Sequence, residues 1–128
     1  MFIKKLFLLI NIIFFLYFSI QLLVFTDEFA QVNIGFFNHA VAGLAEAIGI
    51  IFFSFFLSLI IIFFKGIDKQ FPFFIAIFLT QFTMAINFWR YVLTNSPGET
   101  NLKIITVNAA IFSIVSLISF LILIKSKN

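Results

Sequence analysis

The 128 residues are 63% hydrophobic and only 10% charged, with a mean hydropathy of +1.22, so this chain is built for lipid and leaves nothing from which a water-soluble domain could be made. The formal net charge of +3 comes from lysines at the ends of apolar stretches, which fits membrane topology and not a nucleic-acid partner. Without a single cysteine, the chain is excluded from disulfide, thiolate, iron–sulfur and cysteine–zinc chemistry.

Four stretches meet the requirement of ~20 mostly apolar residues for crossing the hydrocarbon layer. They run from Leu6 to Phe25, Ala40 to Phe64, Phe71 to Leu93 and Leu102 to Ile124. Each is continuously apolar and about twice as long as a barrel strand, which selects helices over strands. The sequence therefore predicts an all-α integral membrane four-helix bundle, a single transmembrane domain over residues 1–128.

Lys4 and Lys5 precede the first helix in the manner of a secretory signal. The apolar run that follows, of about 20 residues, exceeds the ~7–15 of a signal core. Val24-Phe25-Thr26-Asp27 also offers no small-residue cleavage site, so the segment reads as a permanent helix. It carries Asn11 near one end and Gln21 near the other. The segment Thr26 to Asn38 is half apolar, with Phe29, Val32, Ile34, Phe36 and Phe37, and suits a short amphipathic piece along the membrane surface.

The second helix holds Glu46, the one carboxylate inside any of the four stretches. A charge near the bilayer centre costs at least ~2.5–3.5 kcal/mol on insertion scales, so Glu46 calls for a partner, a cavity or a proton. His39 lies seven residues earlier on the same face, roughly 10 Å away along the axis. Gly43 and Ala47 have small-xxx-small spacing and Gly49 follows, which predicts close helix packing around Glu46.

In the third helix Pro72 occupies the first turn, where its missing N–H costs nothing. Thr80, Thr83, Asn87 and Arg90 then recur at spacings of three and four, with Gln81 nearby. Trp89 and Tyr91 fit an interfacial aromatic belt. Asn95-Ser96-Pro97-Gly98 is a turn cluster. The fourth helix offers Asn108 near its start and Ser113, Ser116 and Ser119 deeper, residue types that commonly hydrogen-bond between helices or to their own backbone. The 23 phenylalanines show no periodicity and read mostly as lipid-facing bulk.

Lys4, Lys5, Lys65, Lys69, Lys125 and Lys127 fall on one side of this topology, and Arg90 and Lys103 on the other. The positive-inside rule then predicts that both termini and the loop Lys65 to Gln70 are cytoplasmic. It also places His39, Glu46, Asn87, Arg90 and Asn108 together in the outward half. The expected cluster pairs Glu46 with Arg90 across the second and third helices, with Asn87 and Asn108 bonding the pair and His39 at its mouth. Two uses are open: a clamp that fixes helix register, or, if Arg90 snorkels to the headgroups, a proton-carrying Glu46.

Independent catalysis is disfavoured. One histidine cannot supply both ligands of a bis-histidine haem, and His39 with Glu46 and amides is a weak metal set. No nucleophile has a base at suitable spacing, and there is no phosphate loop or paired carboxylate. The chain reads as a small non-catalytic membrane subunit or accessory factor, with lipids and other membrane subunits or its own copies as partners. It has no cofactor of its own. The alternative is a binder of a quinone, lipid or other amphiphile at the outward polar cluster. Proton-coupled transport ranks third, since small multidrug exporters carry their carboxylate in the first helix, which here has none.

The string Gly43-Leu44-Ala45-Glu46-Ala47-Ile48-Gly49, followed by a long apolar run and a short basic loop, resembles the G-x-x-E-x-x-G region in the second helix of DoxX-like membrane proteins. The resemblance implies a four-helix protein of the bacterial cytoplasmic (inner) membrane, with Gly43, Glu46 and Gly49 as motif positions. Some DoxX-like proteins are associated with quinone-linked sulfur oxidation or membrane oxidoreductase complexes. A redox role for this chain implies a cofactor-bearing partner.

Overall fold

A backbone surrounded by lipid must satisfy its N–H and C=O groups internally, and each long apolar run does so by closing into a helix. The computed structural model describes residues 2–95 and 101–126. Its elements are α1 (Phe2–Leu23), α2 (Thr26–Asn33), α3 (His39–Lys65), α4 (Phe71–Thr94) and α5 (Leu102–Ser126), and no strand occurs among the described residues. α1, α3, α4 and α5 are long and apolar enough to span a membrane, so the four-helix membrane bundle is the fold. Four successive spans return the chain to the face from which it started. One end of the bundle carries Lys4, Lys5, Lys65, Lys69 and Lys125, here the lysine end; the other carries α2.

Local chemistry sets the breaks. α1 stops at Leu23, two residues before the apolar run does, and the Thr26 hydroxyl donates to the Leu22 carbonyl at 2.6 Å, fixing the turn into α2. The segment read as an amphipathic surface piece is a true helix of 8 residues, buried through Thr26, Ala30 and Asn33, with Asp27 and Glu28 in its first turn where the helix dipole favours acids. Gly35, at φ 79°, bonds back to the Ala30 and Gln31 carbonyls and ends it, a left-handed termination that glycine adopts without strain. Asn38 then caps α3 by accepting from the Val41 N–H at 2.8 Å.

The helices pack as two pairs, α1 along α3 and α4 along α5, joined by an α1–α5 seam, while α3 and α4 meet only sparsely. The core is aromatic. Phe112 of α5 sits among Phe14 and Phe18 of α1, Phe52 of α3 and Phe88 of α4, with centroid separations of 4.8–6.4 Å. Phe15 meets Phe52 edge-on at 5.2 Å. Edge-to-face and offset pairs add about 0.5–1.5 kcal/mol each beyond area burial. Phe14, Phe15, Phe18, Phe52, Phe74, Phe88 and Phe112 are buried, so this minority of the 23 phenylalanines builds the core while the others are partly or fully exposed. In lipid, an apolar side chain is equally at home inside and outside, so hydropathy carries no signal separating the two sets.

α3 approaches α1 tightly at Gly49, where a Cβ would lie 2.8 Å from Leu23 Cγ and 3.0 Å from Leu22 Cβ. The buried face of α3 runs through Ala45, Gly49, Phe52, Leu59 and Ile62. The small residues that make this contact are thus Ala45 and Gly49. Gly43 has nothing within 4 Å of an added Cβ, and Ala47 is exposed.

Candidate functional site

A buried polar network that joins three helices lies toward the lysine end. Asn11 of α1, Gln81 of α4 and Ser119 of α5 are all buried. Gln81 Nε2 donates to Asn11 Oδ1 at 2.8 Å, and the Ser119 hydroxyl lies 3.0 Å from the same oxygen and close to Gln81 Oε1. With one proton, that hydroxyl donates to one of the two amide oxygens at a time. Asn11 Nδ2 turns back to the Phe7 carbonyl at 3.1 Å. Helix rise puts the three side chains roughly 10–15 Å from the lysine end, near the middle of a ~30 Å hydrocarbon core. Depth is the sequence signal that identifies this triad, because Asn11, Gln81 and Ser119 lie at comparable distances from their helices' lysine-end termini.

At the opposite end, Asn108 Nδ2 of α5 donates to Asn33 Oδ1 of α2 at 2.8 Å, and Asn33 Nδ2 donates to the Phe29 carbonyl at 3.0 Å. The Asn101 N–H bonds the Val32 carbonyl at 3.2 Å, so α2 is pinned to α5 through both backbone and side chains. Beside this junction a groove of about 580 Å³ opens between α1, α2 and α5. Tyr17 and Gln21 of α1, Glu28 and Asn33 of α2, and Lys103 and Asn108 of α5 supply its polar lining. The neighbouring Asp27 carboxylate accepts from the Glu28 backbone N–H at 2.9 Å.

The cluster expected around Glu46 is not assembled. Glu46 is exposed and makes no hydrogen bond or ion pair among the described residues. Arg90, also exposed, donates through Nη2 to Asn87 Oδ1 of its own helix at 3.2 Å and lies over the Tyr91 ring at 5.2 Å. The physical reason is rotation of α3. With Ala45 and Gly49 turned toward α1, Glu46 falls about 100° around the helix from Ala45 and leaves the buried stripe. α3 and α4 are also not packed along each other, and Asn108 is engaged with Asn33. His39 is exposed at the first position of α3.

Other polar side chains of the sequence reading serve their own helices or a single seam. Thr80 and Thr83 donate to the Ala76 and Leu79 carbonyls at 2.8 and 2.6 Å. Trp89 Nε1 crosses from α4 to Ser113 Oγ of α5 at 2.9 Å. Where α3 and α4 diverge, an apolar cavity of about 380 Å³ is lined by Leu44, Ile48, Met84 and Phe88 among others. Among the described residues, no three of His, Cys, Asp and Glu converge as a metal site would require. Comparison with family models, curated proteins and solved structures finds no match to this chain.

Proposed function

We propose that this chain is a non-catalytic membrane subunit or accessory factor that docks a neighbouring transmembrane helix along the outer face of α3. One observation carries the reading: Glu46, roughly 10 Å into a membrane-spanning helix, is exposed and unpartnered. Facing lipid at that depth, such a group is costly, though less so than the ~2.5–3.5 kcal/mol of the bilayer centre, and a neighbouring helix that presents a hydrogen-bond donor there offsets the cost. The open space beside Gly43 and the exposed Ala47 allow that helix to approach backbone to backbone.

The lysine distribution and the DoxX-like likeness at Gly43, Glu46 and Gly49 support the bacterial cytoplasmic membrane as the setting, with both termini cytoplasmic. Participation in a membrane oxidoreductase complex rests on that likeness alone and needs a partner that holds the cofactor.

Because the chain lacks cysteine, single cysteines can be introduced cleanly at Gly43 or Ala47, with Ile13 on the exposed side of α1 as control. Thiol cross-linking in native membranes should give a discrete adduct at Gly43→Cys and Ala47→Cys, none at Ile13→Cys, and weaker adducts when Glu46→Leu is added. A chain that gives no adduct at either α3 position and leaves the membrane as a monomer removes the docking reading.

A further inference from the structure

The groove between α1, α2 and α5 is built differently from the lipid-facing surface around it. Its volume of about 580 Å³ lies within the ~300–1,000 Å³ range of small-molecule sites. Glu28 and Lys103, opposite charges from α2 and α5, line it without pairing to each other. Below them Asn108, only 6% exposed, uses its amide nitrogen on Asn33, while its Oδ1 accepts from nothing among the described residues. That oxygen is not sealed from the groove, since no side-chain polar atom among the described residues is both fully buried and unsatisfied. It is an open acceptor beside the groove, available to a donor that enters.

The groove is also graded. Lys103 lies one residue into α5 and Glu28 in the first turn of α2, so both charges sit at the α2 end. Tyr17 lies six residues below the end of α1, roughly 9 Å deeper. Ile104, Val107 and Tyr17 are exposed, which opens the side of the groove to the surrounding lipid. Charge at the mouth, amides and a phenol below, and an apolar lateral opening match a molecule with a charged head and hydrocarbon tails lying at a membrane surface.

We infer that this groove binds the headgroup of a membrane lipid that carries both an ammonium and a phosphate. Glu28 takes the ammonium, Lys103 takes the phosphate, and the free oxygen of Asn108 accepts from an N–H or O–H of the head. Lys103 binds phosphate as a point charge, and Glu28 discriminates, because it repels an anionic head that has no amine. The acyl chains leave past Ile104 and Val107. This site is separate from the outer face of α3 and holds whether or not a partner docks there.

The test uses the full-length protein in mild detergent, with native mass spectrometry after addition of phosphatidylethanolamine or phosphatidylglycerol of identical chains. The expected result is one phosphatidylethanolamine retained per chain, with at least about tenfold preference over phosphatidylglycerol. Glu28→Gln should abolish the preference, and Lys103→Gln should weaken retention of both lipids. Glu28 and Lys103 are exposed, so both variants should keep the wild-type far-ultraviolet spectrum and elution volume, and Lys103→Gln serves if Glu28→Gln does not. Equal retention of the two lipids, or a preference that survives Glu28→Gln, overturns the site. Displacement of the lipid by equimolar free phosphoethanolamine overturns a membrane source for the ligand.

Discussion

Apart from the Asn33–Asn108 bond that ties α2 to α5, the two ends of the bundle use polar side chains differently. Toward the lysine end, Asn11, Gln81 and Ser119 close on one another across α1, α4 and α5 and face neither lipid nor water. Toward the α2 end, Glu46, Arg90, Glu28 and Lys103 are exposed, and none forms an ion pair with another helix among the described residues. The first arrangement consumes its hydrogen bonds in holding three helices together. The second leaves charge and hydrogen-bonding capacity directed outward, which is why the functional proposals lie there.

The contrast can be broken by substitution, beginning where the effect is largest. Phe112→Ala empties the centre of the aromatic core and should lower stability by about 2–3 kcal/mol, the cavity part of such a loss, read as the unfolding midpoint in mixed detergent–sodium dodecyl sulfate micelles. Gln81→Leu leaves Asn11 and Ser119 short of a buried partner and should cost about 1–3 kcal/mol in the same assay. Gly49→Val forces a side chain into Leu22 and Leu23, again for about 1–3 kcal/mol, whereas Gly43→Val meets open space and should stay within about 0.5 kcal/mol of wild type. Asn108→Leu releases one α2–α5 bond, worth about 0.6 kcal/mol in lipid, and should appear as faster amide exchange in α2 with little change in the global midpoint. Glu46→Gln sharpens the contrast most. The isolated chain should unfold at an unchanged midpoint while its cross-linked adducts weaken, and a loss comparable with that of Gln81→Leu would place Glu46 in the scaffold instead.

The spans were legible because a lipid solvent demands long apolar helices, and the break at Thr26 to Asn38 was legible from its mixed composition. Which face of each helix points inward was not. α3 carries Ala40, Ala42, Gly43, Ala45, Ala47 and Gly49, so small residues lie all around its first three turns and their spacing selects no side. The attraction between Glu46 and Arg90 was inferred from charge and depth. Rotation decides such a contact, and hydropathy does not report rotation when the surroundings are as apolar as the core. Asn11, Gln81 and Ser119 were each visible, yet neutral amides and hydroxyls draw less notice than a lone carboxylate although they form the tighter structure. Asn108 was visible as a candidate; its partner Asn33 lay in the segment read only as a surface piece.

The Asn11 triad also bears on how the protein is made. Asn11 enters the bilayer with the first helix, but its bonds wait for Gln81, 70 residues later, and Ser119, 108 residues later. At synthesis rates of about 5–20 residues per second, the amide oxygen spends roughly 4–14 s in the membrane before its first lasting donor is translated. During that interval the α1–α3 hairpin is held by apolar packing alone, with Gly49 drawn against Leu22 and Leu23. The triad therefore closes only when α4 and α5 have both been made, which ties the last side-chain bonds of the bundle to the arrival of its final helix.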